Sequence, residues 1–513
     1  MEANILAVIT ILVAGYTLLS EERRIDLFLR IGLLDKLLLF SALVASLYVT
    51  FLPVLSHFNI AIPLPWLWGL TPNLVIFSMI LLVLLYLTFK LLDKRLPHSR
   101  IKYWNKMSLQ LLRQRKYKEL SYLVDKYYNQ FCFIHKDKWY DTLRSKLPSS
   151  HRDEFDSLLR GKQYKTSFII RVGTKIIDWV LPSKTKLREC SASGLKRLLS
   201  TKSFIRYYSL HNPQACMELT LLPLNISEKF SDDFLESLMS DSESTLYREV
   251  RDTQQISMYT GYNIQPTNPL LSFYLEDLNF AVTQQIWKPI GDSAAKYISK
   301  QTGGDRNYYN QPYHWSYEDE ERWVCPIYIT LHFFDIMVQR AIFINYPDHM
   351  WLRYYYTLLE HIIKKYQPSP AANQSNGLPT RYDYLIDEIF KKCISWLEVA
   401  VDIKIKLVDK DKRIWPIPVG FSASVLGELL RLILQAGNIT DSRCTEQLAK
   451  VIRLSNKLEG AGLQRLNQEI ANELIPNWGI EQNNKIRLKK CFSKVDPYET
   501  SLNSTLSIEI KKI

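Results

Sequence analysis

The sequence predicts a mainly α-helical membrane protein, with an N-terminal three-helix transmembrane segment followed by a large, predominantly helical cytoplasmic body. Three observations carry that class. Three apolar runs fall within residues 1–95, Lys and Arg are distributed unevenly around them, and apolar residues recur at spacings of three and four through most of the remaining chain.

The apolar runs extend over Asn4–Ser20, Leu37–Leu55 and Leu74–Leu92. Each approaches the ~20 residues that a helix needs to cross a hydrocarbon layer ~30 Å thick. The first has no basic segment before it, so it reads as a span and not as a cleaved signal peptide. Thr71 and Pro72 supply an N-cap and a first-turn proline for the third. The middle of each run lacks Asp, Glu, Lys and Arg, which argues against a self-contained ion or proton pathway. Such helices anchor a protein, or several copies assemble.

Orientation follows from the cations. Arg23, Arg24, Arg30 and Lys36 follow the first run, and Lys90, Lys94, Arg95, Arg100 and Lys102 surround the end of the third. Ser56–Pro72 carries no formal charge and contains Pro63, Pro65, Trp66 and Trp68, a composition suited to the headgroup level. The expected topology is multi-pass in the cell (inner) membrane, with the N-terminus outside and the C-terminal body cytoplasmic. Between the first two runs, Ile25, Leu27, Phe28, Ile31 and Leu34 oppose Asp26 and Arg30, which predicts a short interfacial helix or an extension of the second span.

The domain organisation expected is 1–95 transmembrane, 96–160 a basic membrane-proximal hairpin, 161–370 the main helical domain, 371–485 a C-terminal helical domain, and 486–513 a polar tail. The hairpin rests on Met107, Leu109, Leu111 and Leu112, then Leu120, Leu123, Val124 and Tyr127. A hydrophobic fraction of 47% and a charged fraction of 23% describe a packed chain. The net charge of +13 points to an anionic partner.

Lys94, Arg95, Arg100, Lys102, Lys184, Lys186, Arg188, Lys196, Arg197 and Lys202 are the cations expected to face anionic headgroups, at ~1 kcal/mol for each one near the surface. Tyr164, Phe168, Trp179, Phe204, Tyr207 and Tyr208 are interleaved with them, which would also suit single-stranded nucleic acid. The lipid surface is the preferred partner. Glu228–Glu249 reverses the sign and predicts a capped, acidic helix.

Thr267, Asn268 and Pro269 open a core helix that Pro289 should end. The loop after Gly303 and Gly304 carries Tyr308, Tyr309, Tyr313, His314, Trp315 and Tyr317, rigid rings fit either for recognising a cytoplasmic protein or for packing the loop. His332 and Asp335, three apart, are weak metal candidates, while His349 and Glu360 are too far apart along a helix to share an ion. No metal or cofactor is expected. Ile327–Ile344 is apolar enough to resemble a span, but His332, Asp335, Gln339 and Arg340 mark it as a buried helix of the body.

Further helices are expected over 351–366, 382–401, 422–436, 445–458 and 463–475, with a linker over 367–380 and a loose tail holding one strand at 506–510. Glu398, Asp402 and Lys404 match a nuclease acid-and-lysine pattern only faintly. The seven cysteines stand singly, without zinc or redox spacing, and read as buried thiols in a reducing compartment. There is no phosphate loop, dinucleotide fingerprint or serine elbow, so the reading leans away from an enzyme.

The layout of charge-free spans followed by a helical cytoplasmic body resembles that of bacterial membrane effectors in anti-phage defence. That resemblance is architectural and assigns no residues. The function it implies is a membrane protein whose body senses or binds a partner and whose spans anchor, oligomerise or perturb the membrane. The alternative is a tethered nucleic-acid-binding protein or nuclease.

Overall fold

Apolar stretches at helical period, broken by Gly, Pro and polar turns, build a fold that is α-helical almost throughout. The computed structural model describes residues 17–59, 62, 71–93, 95–97, 100–135, 185–222, 229–257, 261–304, 306–312, 317–318, 320–344, 346–347, 350–368, 380–402, 417–476, 481–502 and 504–512. Among them the strands are β1 (Ile256–Ser257) and β2 (Gly261–Tyr262), an antiparallel pair. The chain divides into two units, Met1–Tyr208 with Glu218–Glu228, and Ser209–Met217 with Lys229–Ile513.

The first unit contains α1 (Glu21–Arg30), α2 (Leu33–His57), α3 (Pro72–Leu92), α4 (Ile101–Arg113), α5 (Tyr117–His135), α6 (Thr185–Leu199) and most of α7 (Lys202–His211). The second and third predicted spans are α2 and α3. Their mean hydropathies are 2.2 and 2.5, yet only 6% of each apolar window is buried within the protein. They touch along Val49, Val75 and Ile76, with Met79 and Ile80 alongside, while Phe40, Leu47, Phe77, Leu82 and Phe89 point outward. Residues 4–16 of the first predicted span, and Pro63, Pro65, Trp66 and Trp68, lie outside the described residues.

Helix α1 is the short separate helix of the two alternatives, broken from α2 at Ile31 and Gly32, and its polar side is buried together with Leu27. Asp26 and Arg30 are buried, whereas Phe28 is 50% exposed. The two charges satisfy each other and neighbouring groups, so the polar side can turn inward. Helices α4 and α5 form the expected hairpin, with Arg115 in the left-handed region at φ 57° between them. Trp104 packs on Phe131 with ring centroids 4.5 Å apart.

The second unit begins around α8 (Pro213–Thr220) and continues through α9 (Phe230–Met239), α10 (Thr245–Asp252), α11 (Pro269–Leu275), α12 (Leu278–Thr283) and α13 (Trp287–Lys300). Then come α14 (Pro326–Ile344), α15 (Arg353–Lys365), α16 (Arg381–Asp402), α17 (Ile417–Gln435), α18 (Asp441–Gly460), α19 (Gln464–Leu474), α20 (Gln482–Phe492), α21 (Pro497–Ser501) and α22 (Thr505–Lys512). Helix α14 is the central one. It is long and apolar enough to cross a membrane, but 83% of its window is buried inside the protein.

Three local expectations are corrected. The acidic stretch is two helices, α9 and α10, and Glu249 is buried, its carboxylate accepting from the Leu270 and Leu271 amides at 3.2 and 2.8 Å. That places an anion at the N-terminus of α11, where free N–H groups and the helix dipole favour it. The helix opened by Pro269 is also not continuous. Asp277 caps a new helix by accepting from the Asn279 amide at 2.9 Å, Gln285 turns the chain at φ 50°, and Pro289 falls in the first turn of α13, where its missing N–H costs nothing. Finally, residues 506–510 are helical. Leu506 and Ile510, four apart, are both buried, and α22 packs on α19, so the tail is held by an apolar seam.

Candidate functional site

In the first unit, the polar groups converge where α3 ends. Asp26 and Arg30 lie one turn apart on α1, and Arg30 Nε donates to Asp26 at 3.2 Å and to the Tyr127 hydroxyl at 2.9 Å. Its Nη1 reaches the carbonyls of Lys90 (2.7 Å) and Asp93, the last turn and C-cap of α3. Asp26 also accepts from Lys126 Nζ at 2.7 Å and from Tyr127. Arg100 caps the end of α1 in the same way, bonding the carbonyls of Leu29 (3.0 Å) and Ile31. Cations at carbonyl-rich helix ends satisfy unpaired acceptors and oppose the negative pole of the helix dipole.

The start of α2 joins the same cluster. Asp35 accepts from the Gly32 amide at 2.7 Å, from Lys90 Nζ at 3.2 Å and from the Tyr86 hydroxyl. At the other end of α1, Glu22 pairs with Lys118 at 2.8 Å, and that hydrogen bond holds its carboxyl down to about 2. Burial beside Asp26 pushes the Tyr127 phenol up, so Tyr127 remains a donor. The arrangement carries no nucleophile. It is a joint that fixes the end of one apolar helix, and the start of the other, to the α1–α5 layer.

The predicted basic residues divide into two groups. Arg95, Lys102, Lys196, Arg197 and Lys202 are exposed. Arg100 is engaged as above, and Arg188 donates to the Ile134 carbonyl at 2.8 Å, so both work inside the fold. Lys94, Lys184 and the side chain of Lys186 lie outside the described residues.

In the second unit, His332 and Asp335 do come together, around a cation supplied by the chain itself. Asp335 is buried and accepts from Lys392 Nζ (2.8 Å), Tyr262 (2.7 Å), Trp396 Nε1 (2.7 Å) and Gln339 (3.3 Å). Lys392 Nζ also lies 3.3 Å from His332 Nδ1. His332 Nε2 is 3.0 Å from the Thr253 carbonyl, which can only accept. The ring is therefore the Nε2–H tautomer, with its Nδ1 lone pair facing the ammonium. Burial, and then Lys392, hold His332 down to about 3. Burial alone would raise the Asp335 carboxyl, but Lys392 and the converging donors hold it below the ordinary range. The ammonium stands where a metal ion would, and among the described residues no group of three or more His, Cys, Asp or Glu side chains is placed to hold one.

The aromatic loop is largely internal. Tyr309 is buried and stacks on Tyr382 with centroids 5.1 Å apart, and Tyr317 is buried edge-on to Tyr384 at 5.3 Å. Tyr308 is 41% exposed, its ring under the Arg381 guanidinium at 3.9 Å and its hydroxyl on Glu321. Tyr313, His314 and Trp315 lie outside the described residues.

No family model, curated relative or solved structure matches this chain. Its function is therefore argued from the residues above. Sequence reasoning missed the roles of Asp26, Arg30, Lys126 and Tyr127, whose only sign was an Asp–Arg pair at helical spacing. It also missed Lys392, three residues after Ile389 and four before Trp396, on the apolar stripe of α16.

Proposed function

We propose that this chain is an integral membrane protein, with α2 and α3 in the bilayer, a cytoplasmic helical body that binds a protein partner, and spans that associate between copies. One observation carries the reading. Helices α2 and α3 bury only 6% of their apolar windows, whereas α14, of comparable length but lower hydropathy, buries 83% of its own. Seventeen exposed Leu, Phe and Val side chains on these two helices are stable against lipid and not against water.

The remaining features support an inward-facing body in the cell (inner) membrane. Exposed Arg95, Lys102, Lys196, Arg197 and Lys202 suit an anionic leaflet, and Tyr308 offers an aromatic contact on the surface of the second unit. The joint around Arg30 would transmit displacement of the α1–α5 layer to the end of α3. Such a protein acts as a membrane effector, of the kind found in antiviral defence, that perturbs the bilayer when its body engages a partner.

The test is expression of the full-length chain in bacteria loaded with a potential-sensitive dye. Loss of potential that disappears when residues 1–96 are deleted supports the reading. An equal loss from the truncated body contradicts it.

A further inference from the structure

The seven cysteines stand far apart in sequence, yet the fold brings two of them together. Cys444 lies in the first turn of α18 and Cys491 in the last turn of α20, both as free, buried thiols. Cys491 Sγ donates to the Asp441 carbonyl at 3.7 Å, an oxygen that also accepts the Thr445 hydroxyl at 2.8 Å. Cys444 Sγ donates to the Ile433 carbonyl at 3.5 Å, an oxygen that Arg487 Nη1 approaches at the same distance. Each thiol therefore shares its acceptor with a side chain of the opposite helix.

Asp441, Cys444 and Thr445 form one face of α18, and Arg487 and Cys491, four apart, form one face of α20. Ion pairs from Arg487 (2.9 Å) and Lys490 (2.8 Å) to Asp441 clamp these faces together. The neighbouring Cys444 thiol holds Cys491 down to about 6, and Cys491 in turn pushes Cys444 up. Cys491 shares its face with Arg487 and follows Lys490, cations that favour a thiolate there over one at Cys444.

We propose that Cys444 and Cys491 are a redox site that a small hydroperoxide oxidises to a disulfide joining α20 to α18. The Cys491 thiolate attacks the peroxide oxygen and the O–O bond breaks. One oxygen stays on sulfur as a sulfenic acid, and the other leaves, after taking a proton, as water from hydrogen peroxide or as an alcohol from an organic hydroperoxide. Cys444 then attacks the sulfenic sulfur, the S–O bond breaks and water leaves. Overall, the thiols lose two electrons and two protons to the peroxide. Both thiols are buried, which restricts the oxidant to a small molecule and excludes a bulky disulfide. The inference does not depend on the membrane reading.

The experiment treats the full-length protein in detergent with hydrogen peroxide, then unfolds it in a small maleimide and maps the peptides by mass. The expected result is loss of two of the seven thiols, recovered as one Cys444–Cys491 cross-linked pair that dithiothreitol reverses. In Cys444→Ser, Cys491 should stop at the sulfenic acid, which dimedone traps. The proposal is overturned if Cys491 reacts no faster than the other cysteines, or if it pairs elsewhere. Should Cys444→Ser not fold, the peptide map of the unaltered protein decides alone.

Discussion

Replacing Arg30 by Met tests the joint at the end of α3. The substitution keeps most of the volume of a fully buried side chain but removes the donors to Asp26, Tyr127 and the carbonyls of Lys90 and Asp93. Removing one partner of a buried ion pair costs about 3–5 kcal/mol. Asp26 keeps Lys126 at 2.7 Å, so the lower end applies. A loss of about 3 kcal/mol is roughly a hundredfold in an opening equilibrium. Hydrogen exchange of the full-length protein in detergent should show that acceleration in peptides covering 21–31 and 86–97, where the Ile31 and Asp93 amides close their helices. Adding Asp26→Asn, which removes the stranded charge, should recover part of the loss. Exchange within about threefold of the unaltered protein in both peptides would refute the reasoning.

Four further outcomes follow from the same structure. Lys392→Met leaves Asp335 buried with only neutral donors and should destabilise the second unit by about 3–5 kcal/mol, whereas Lys392→Met with Asp335→Asn should cost less, read as thermal midpoints. Because His332 is neutral when folded and takes up a proton when unfolded, its contribution is intact above pH 6.5 and declines as pH falls toward 3, by at most ~5 kcal/mol. His135 acts with the same sign, so the measurement compares midpoints of the unaltered protein with those of His332→Gln, whose pH slope should be shallower. Gly427→Ala would put a methyl group 2.5 Å from the Ile470 carbonyl oxygen at the α17–α19 contact and should cost about 1–3 kcal/mol. Charge reversal at Lys196, Arg197 and Lys202 should weaken association of the truncated body with vesicles containing anionic lipid, and the effect should shrink in salt; unchanged binding would remove these residues from the lipid-facing surface.

Helix positions were legible where an apolar stripe ran uninterrupted, as in α5, α15 and α18, because period alone identifies a helix that buries one face. The reading failed where a short polar event overrode the stripe. Asp277 restarts a helix that Pro269 opened, and Leu506 with Ile510 fits a strand or a helix until α19 supplies the surface they bury against. The sites were harder to read because their partners are distant in sequence. Arg30 meets residues near 90 and 127, and Asp335 meets Tyr262 and Lys392. A charged residue on an apolar stripe marks a buried pair without naming its partner. Cys444 and Cys491 offered no signal, since their proximity depends on how α20 folds back on α18.

The central claim is that α2 and α3 lie in lipid with the body inside the cell. The direct measurement expresses the full-length chain with single added cysteines at the exposed Ser56, in the last turn of α2, and at the exposed Ser200, after α6, and labels intact cells with a membrane-impermeant maleimide. The account predicts that the chain stays in the membrane pellet after an alkaline wash, with Ser56→Cys labelled and Ser200→Cys labelled only after lysis. Release of the chain by the wash, or labelling of Ser200→Cys in intact cells, would contradict it.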